Sequence, residues 1–448
     1  MKILFECSEK RILAMLENAG FEAYFAGGCV RDALMGRASE DIDVATDALP
    51  GQVRDVFSGC RVIETGIRHG TVTVDGVEVT TYRSDGTYSD GRHPDDVRFV
   101  SSIEEDLSRR DFTINAMVCD IRGKLTDPYG GRDDIAGRII RAVGDPGQRF
   151  HEDGLRIMRG LRFAAVLGFE IEENTAEAMR KGSHLLKKIS AERIFAELKK
   201  LLAGDFAGDV LRRYTDVLKD VLPELWAMKG FEQHNPYHKY DVLEHCIRAM
   251  EAVATTEENL DEMKLAALFH DVGKPETYFT DDEGIGHFYG HPAKSEELVR
   301  GILHRLKADK AILERVAVLV KYHDLIFEND EKLLKRWMNR LGADVLGEVL
   351  EIKLADNFAT GNMSPGLERK FNDIRDTMAE IIEQGQCFSL KDLAVGGNDL
   401  IAAGLEPGPD MGRILGMLLD AVIDGKCENK CEPLIELAVL HAMKPSGI

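Results

Sequence analysis

The stretch that most constrains this chain is Tyr24–Thr46, YFAGGCVRDALMGRASEDIDVAT. The apolar run Tyr24–Ala26 reads as a strand, Gly27-Gly28 as the corner after it, and Val30–Met35 as a helical turn carrying Arg31 and Asp32. Glycines at a strand-to-helix corner let backbone N–H groups approach a phosphate, and the helix N-terminus adds partial positive charge. Asp41-Ile42-Asp43 then runs into Val44. Side chains alternate along an extended strand, so Asp41 and Asp43 share one face while Ile42 anchors the other. Two carboxylates on one face beside a phosphate cradle are what a two-Mg²⁺ phosphoryl-transfer site requires. Each half alone is commonplace, as a solvated acidic strand or a Gly-rich turn. A third carboxylate is needed to complete the set.

Thr71–Arg83 supplies a candidate. TVTV-DG-VEVTTYR predicts a hairpin, because Asp75-Gly76 suits a two-residue type I′ turn. Pairing across that turn sets Val74 opposite Val77, Thr73 opposite Glu78 and Val72 opposite Val79. The valines then face a core, and Glu78 stands with Thr71, Thr73 and Thr80 on the polar face. Ser84–Pro94, SDGTYSDGRHP, has no hydrophobic period and reads as a loop beside the site. Arg109-Arg110-Asp111 follows, and arginines near carboxylates suit triphosphate oxygens. A surface ion-pair cluster is the plainer alternative.

Upstream, Ser8–Asn18 reads as a helix capped by Ser8, with Gly20 past its end. From Glu152 the pattern becomes helical: Asp153, Arg156 and Arg159 recur in three-residue steps with Arg162 beyond, and Leu155, Met158, Leu161 and Ala165 are spaced to face a core. Gly154–Lys200 holds ten Lys/Arg against six Glu, a local +4 within a chain of net charge −21. It is the natural RNA surface in a protein too acidic to coat nucleic acid diffusely. Further on, histidines and aspartates gather at predicted helix ends: His234, His238, His245, His270-Asp271, His287, His291, His323 and Asp356. That is how N/O ligands for a divalent transition metal are assembled.

At 448 residues the chain has room for about three domains. The eight cysteines are scattered, mostly in apolar segments and without zinc-site spacing, which fits reduced thiols and a cytoplasmic protein. Neither a signal peptide nor a membrane span is read, and no DNA partner is expected.

Taken in order, these motifs resemble the class II tRNA nucleotidyltransferases, the CCA-adding group that includes bacterial poly(A) polymerases. The matches are GGxVRD at Gly27–Asp32, DID at Asp41–Asp43, ExTxxR at Glu78–Arg83, RRDFTxNAM at Arg109–Met117, EDxxR at Glu152–Arg156 and ERxxxEL at Glu192–Leu198, spanning the first 200 or so residues. The later block resembles an HD-superfamily phosphohydrolase, with His245, His270, Asp271 and Asp356 at the H…HD…D positions and His291 and His323 as further ligands. The resemblance implies an α+β chain: a polymerase-β-like head with a small mixed sheet (residues 1–140), a helical neck (141–205), a helical body with the HD domain (206–365) and a helical tail (366–448). It assigns Mg²⁺ to Asp41 and Asp43 with Glu78 as third carboxylate. Triphosphate and ribose contacts go to Gly27, Gly28, Arg31, Arg110, Asp111 and Asn115. Choice of base goes to Glu152, Asp153, Arg156, Arg159 and Arg162. Cytosine and adenine both present an amino donor beside a ring-nitrogen acceptor, which a carboxylate plus a guanidinium such as Asp153 and Arg156 can satisfy, whereas guanine and uracil mismatch both. The implied activity is addition of C and A to tRNA 3′ ends from CTP and ATP, with tRNA held by its acceptor arm. The HD block, holding Ni²⁺, Mn²⁺ or a similar ion, adds a phosphohydrolase. A-only addition and poly(A) synthesis share the motifs, while the full-length Ser84–Pro94 loop argues against CC-only addition. A phosphohydrolase whose head only tethers RNA is the reading from another class.

Overall fold

The computed structural model describes residues 9–39, 41–64, 70–85, 97–235, 238–361 and 366–442. Two compact units divide the chain, Met1–Lys229 with Gly301–Lys310, and Gly230–Arg300 with Ala311–Ile448.

The first unit begins with α1 (Lys10–Asn18), β1 (Ala23–Ala26), α2 (Gly28–Leu34), β2 (Asp43–Thr46), α3 (Pro50–Val56), β3 (Val62–Ile63), β4 (Thr71–Val74) and β5 (Val77–Thr81). It continues through β6 (Arg83–Asp85), β7 (Val97–Phe99), α4 (Ile103–Ser108), β8 (Val118–Cys119), β9 (Leu125–Thr126), α5 (Gly131–Gly137) and β10 (Ile139–Ile140). Seven strands form a mixed sheet in the order β3-β4-β5-β2-β1-β8-β9. β2 and β5 run parallel at its centre, with Asp43 beside Glu78. The β4–β5 register is the one the sequence predicts, Val74↔Val77 through Thr71↔Thr80. Asp75 and Gly76 both have positive φ, 49° and 92°, as a type I′ turn demands. Phe25, Val44, Val72, Val74 and Val79 pack on one face of the sheet. The other face is shallower, built on Ala26, Ala45, Tyr82, Ile103, Leu107 and Val118. Small residues there leave room for Asp43 and Glu78, which share that face by alternation.

Helices follow: α6 (Pro146–Glu152), α7 (Leu155–Leu167), the short strand β11 (Glu170–Ile171), α8 (Glu173–Gly182), α9 (Ala191–Leu202), α10 (Ala207–Leu218) and α11 (Pro223–Met228). As the spacing requires, Leu155, Met158, Leu161 and Ala165 are buried. The second unit holds α12 (Val242–Ala252), α13 (Leu260–Phe269), α14 (Lys274–Thr277), the hairpin β12 (Phe279–Thr280)–β13 (Gly286–His287), α15 (His291–Arg305, whose last residues belong to the first unit), α16 (Lys310–Tyr322), α17 (Glu331–Leu341), α18 (Ala343–Ala359) and α19 (Leu367–Glu383). The last three helices are α20 (Gly397–Ala402), α21 (Asp410–Ile423) and α22 (Cys431–Ala442).

Three expectations change. Strand β2 starts at Asp43, not Asp41, because β1 ends at Ala26, the register partner of Asp43. Asp153 lies between α6 and α7 rather than on the neck helix. The basic stretch is largely neutralised, mostly by acids outside it: Arg156, Arg159, Arg162, Arg180, Lys187 and Arg193 pair with Glu152, Asp111, Glu197, Asp216, Asp220 and Asp153. Ser8 and residues 86–94 of the predicted loop lie outside the described residues, while Ser84 and Asp85 belong to β6. The seven described cysteines are all free. No helix among the described residues is long and apolar enough to cross a membrane.

Candidate functional site

Gly27 forms the corner before α2, with φ of 71°, a conformation that a side chain disfavours. A Cβ there would lie 2.8 Å from the Arg110 Nη1. The corner is thus shaped around a guanidinium, which donates to the Asn115 carbonyl at 3.2 Å. On the triphosphate role expected of Arg110, Gly27→Ala should displace that side chain and raise the KM for nucleoside triphosphate about tenfold with the fold intact, read by steady-state incorporation and a melting curve.

Around this corner the predicted contacts form one network. Arg31 Nη1 donates to Asn115 Oδ1 at 2.8 Å, Asn115 Nδ2 donates to Asp111 Oδ1 at 3.2 Å, and Arg159 Nε donates to Asp111 Oδ2 at 2.7 Å. Burial works against ionised Asp111, yet Arg159 holds its carboxyl down at about 2. The Arg109–Asn115 stretch is therefore wired to helix α7. Arg31, Arg159 and Arg162 also gather around the Phe163 ring at 5.3, 5.5 and 4.1 Å.

Asp43 is the electrostatic focus of the sheet face. Burial first, then repulsion from Glu78, with a smaller contribution from Asp41, raises its carboxyl above the ordinary range, and Arg110 opposes them. Excess negative charge of this kind fits a divalent cation held by Asp41, Asp43 and Glu78. Sequence reasoning missed Asp106, which is buried and accepts from Arg109 at 2.7 Å and Arg110 at 3.3 Å. Against the cost of burial, those two arginines keep it ionised below the usual range. The Arg109-Arg110 pair was the visible signal, but its buried partner precedes it on α4.

The residues expected to choose the base are already engaged with protein partners. Arg156 is only 8% exposed; it pairs with Glu152 at 2.7 Å and donates to the Arg109 and Arg149 carbonyls. Asp153 accepts from Arg193 at 3.0 Å and from the Leu155 N–H at 2.9 Å.

In the second unit, His245, His270, Asp271, His291, His323 and Asp356 converge as two candidate ligand sets sharing Asp271. His245, His270, Asp271 and Asp356 form one set, and Asp271, His291 and His323 the other. His245 Nε2 lies 3.2 Å from His270 Nε2 and 3.0 Å from Asp356 Oδ1. Asp271 Oδ2 lies 3.4 and 3.2 Å from His245 and His270, while its Oδ1 lies 3.2 and 3.5 Å from His291 and His323. Two donors bound at about 2.1 Å and at right angles lie about 3 Å apart, so this spacing fits metal coordination. Nδ1 of His270, His291 and His323 sits 2.8, 2.9 and 2.6 Å from the carbonyls of Ala267, Phe288 and Val320. That arrangement leaves each Nε2 to face the cluster as a ligand. Without an ion, burial alone would depress His270, but Asp271 overrides it and holds the imidazole well above its usual range. Lys274, also missed in the sequence, is buried and pairs with Asp271 at 2.6 Å. His234 and His287 are in neither ligand set among the described residues; His238 Nε2 lies 3.4 Å from Lys274 Nζ.

A carboxylate-bearing mixed sheet beside an arginine-lined glycine corner defines the nucleotidyltransferase class. Residues 23–141 match the poly A polymerase head domain, 168–229 the RNA- and SrmB-binding site of polymerase A, and 287–438 the tRNA nucleotidyltransferase domain 2. The CCA-adding enzyme of Lactobacillus helveticus is 46% identical over 230 residues, 50% of this chain and 57% of that one. That of Streptococcus suis is 51% identical over 209 residues, 46% and 51% of the two chains. These matches thus span little more than half of each relative's length. The crystal structure of the Bacillus stearothermophilus CCA-adding enzyme in complex with CTP superposes with a TM-score of 0.71 at 31% identity, covering 97% of this chain and 96% of that one. The chain belongs to the class II tRNA nucleotidyltransferase and bacterial poly(A) polymerase family.

Proposed function

We propose that this protein adds C and A to tRNA 3′ ends without a nucleic-acid template, using CTP and ATP. The observation that carries the reading is Asp43 in register beside Glu78, with Asp41 near and Arg110 over the Gly27 corner. The names of the matched relatives, and the CTP bound to the Bacillus enzyme, support it. Residues 1–140 act as head, 141–205 as neck, 206–365 as body and 366–448 as tail, with body and tail taking the acceptor arm. The free thiols support a cytoplasmic location.

Asp41 and Asp43, with Glu78, hold Mg²⁺, which when bound supplies Lewis-acid charge at the attacking and leaving oxygens. Arg110 and Arg31 orient the triphosphate, fixed by Asn115, Asp111 and Asp106. The RNA 3′-hydroxyl displaces pyrophosphate from the α-phosphate. Asp153 accepts from the base amino group and Arg156 donates to the ring nitrogen. Both exchange a present protein partner for the base, so a mismatched base leaves buried polar groups unpaired. Alanine at Asp153 or Arg156 is expected to cut discrimination against UTP and GTP by about ten- to a hundredfold in competition assays. Incubating the protein with transcripts ending before CCA, after CC, or complete, and each NTP in turn, tests the whole proposal. CCA addition completes both unfinished ends and stops. Extension of only the CC end means A-only addition, and continued A incorporation means poly(A) synthesis.

The shared Asp271 favours a second activity. The two ligand sets suit a transition metal such as Ni²⁺ or Mn²⁺ and hydrolysis of a 2′,3′-cyclic or 3′-terminal phosphate on RNA.

A further inference from the structure

The β12–β13 hairpin carries three rings on one exposed side. Phe279 and His287 are direct cross-strand partners, so they share a face, and Tyr289 follows His287 by two residues. Phe279 and His287 stack at 5.3 Å and 26°, His287 and Tyr289 at 5.4 Å and 17°, and Phe279 and Tyr289 lie 5.5 Å apart. Phe279 is nevertheless 45% exposed and Tyr289 74%. The stack is held in place, because His287 Nε2 meets Asp281 Oδ2 at 2.6 Å. Asp281 in turn accepts from the Glu283 and Ile285 N–H groups.

The intervening residue turns toward the metal-ligand cluster. Phe288 packs on Tyr278 at 5.5 Å and lies 5.3 Å from the Nζ of Lys274, the partner of Asp271. The Phe288 carbonyl also faces the Nδ1 of the ligand His291. Tyr289 is thus one residue from a group that positions the cluster. Aromatic faces accept any base by stacking, and the neighbouring ligand sets suit phosphate.

We propose that Phe279, His287 and Tyr289 form a stacking platform for the terminal nucleobase of a ribose phosphate presented to the His/Asp cluster. The inference rests on the phosphohydrolase reading and adds to it the residues that hold the base. In the reaction the water oxygen bonds to phosphorus, a P–O bond to ribose breaks, and the leaving oxygen takes the proton.

The full chain loaded with Mn²⁺ is assayed on 2′,3′-cyclic AMP and on glycerol 1,2-cyclic phosphate, which has the same phosphate ring and no base. Tyr289→Ala and Phe279→Ala are expected to raise KM for cyclic AMP about tenfold with little change in kcat. Tyr289→Phe stays near wild type, and the glycerol substrate is indifferent to all three. Alanine variants that change neither substrate, or both equally, overturn the platform. Should wild type hydrolyse neither compound, the phosphohydrolase reading fails by itself. Fluorescence of a short RNA ending in 2-aminopurine riboside 3′-phosphate then decides: quenching lost in Tyr289→Ala sustains the platform as a binding surface, and equal quenching in both proteins overturns it.

Discussion

Asp43→Asn is expected to lower nucleotide incorporation about a thousandfold, roughly 4 kcal/mol of transition-state stabilisation, without lowering the melting temperature of the metal-free protein. The asymmetry follows from the site. Burial and the neighbouring Glu78 and Asp41 carboxylates raise the Asp43 carboxyl above its ordinary range. A carboxyl whose folded pKa is raised stabilises the fold while protonated. That contribution is present below the unfolded value and lost as pH rises through the folded one. At neutral pH the charge is therefore a burden, which asparagine removes together with the proposed metal ligand. Wild type should gain melting temperature as Mg²⁺ is added, and the variant should gain little. Incorporation should fall on the acid side as Asp43 takes up a proton, with excess Mg²⁺ moving that limb to lower pH. Single-turnover incorporation and calorimetry read both effects, and a variant within tenfold of wild type would remove Asp43 from the metal site.

Asp271→Asn should empty both ligand sets in the second unit, whereas His323→Ala should empty only one. Asp271 turns one oxygen to His245 and His270 and the other to His291 and His323. Elemental analysis of metal-loaded protein counts the ions, and equal losses in the two variants would contradict a shared carboxylate. The proposed phosphohydrolase activity should drop about a thousandfold in Asp271→Asn while the proposed CTP and ATP incorporation persists. A stability cost accompanies it. Burial opposes the Asp271 charge, but His270 and Lys274 hold the carboxyl well below the usual range. Its contribution is thus present above the unfolded value and lost only as pH falls through the depressed one. Neutralising Asp271 leaves buried Lys274 without its counter-ion, at a cost of about 3–5 kcal/mol, visible as a lower midpoint in chelator at neutral pH.

Local chemistry fixed much of this in advance. The Asp75-Gly76 turn sets the β4–β5 register because both residues tolerate positive φ. Once register is set, alternation alone puts Glu78 on the polar face. Spacing on α7 likewise picks out residues that are buried, although most of that helix is buried all round. The same reasoning falters where a partner is distant in sequence. Nothing near Arg159 announces Asp111, 48 residues away. The positive count over Gly154–Lys200 could not reveal that most of its arginines answer acids outside that stretch.

What the chain determined by itself was the identity and local facing of the reactive groups, since turn chemistry and side-chain periodicity act over a few residues. Tertiary structure decided which of them meet. Parallel pairing of β2 with β5 puts Asp43 beside Glu78, and helices α12, α15 and α18, with the end of α16, bring candidate ligands to the His270-Asp271 pair at the end of α13. Both arrangements depend on packing between segments far apart in sequence, where only the folded core selects the partners.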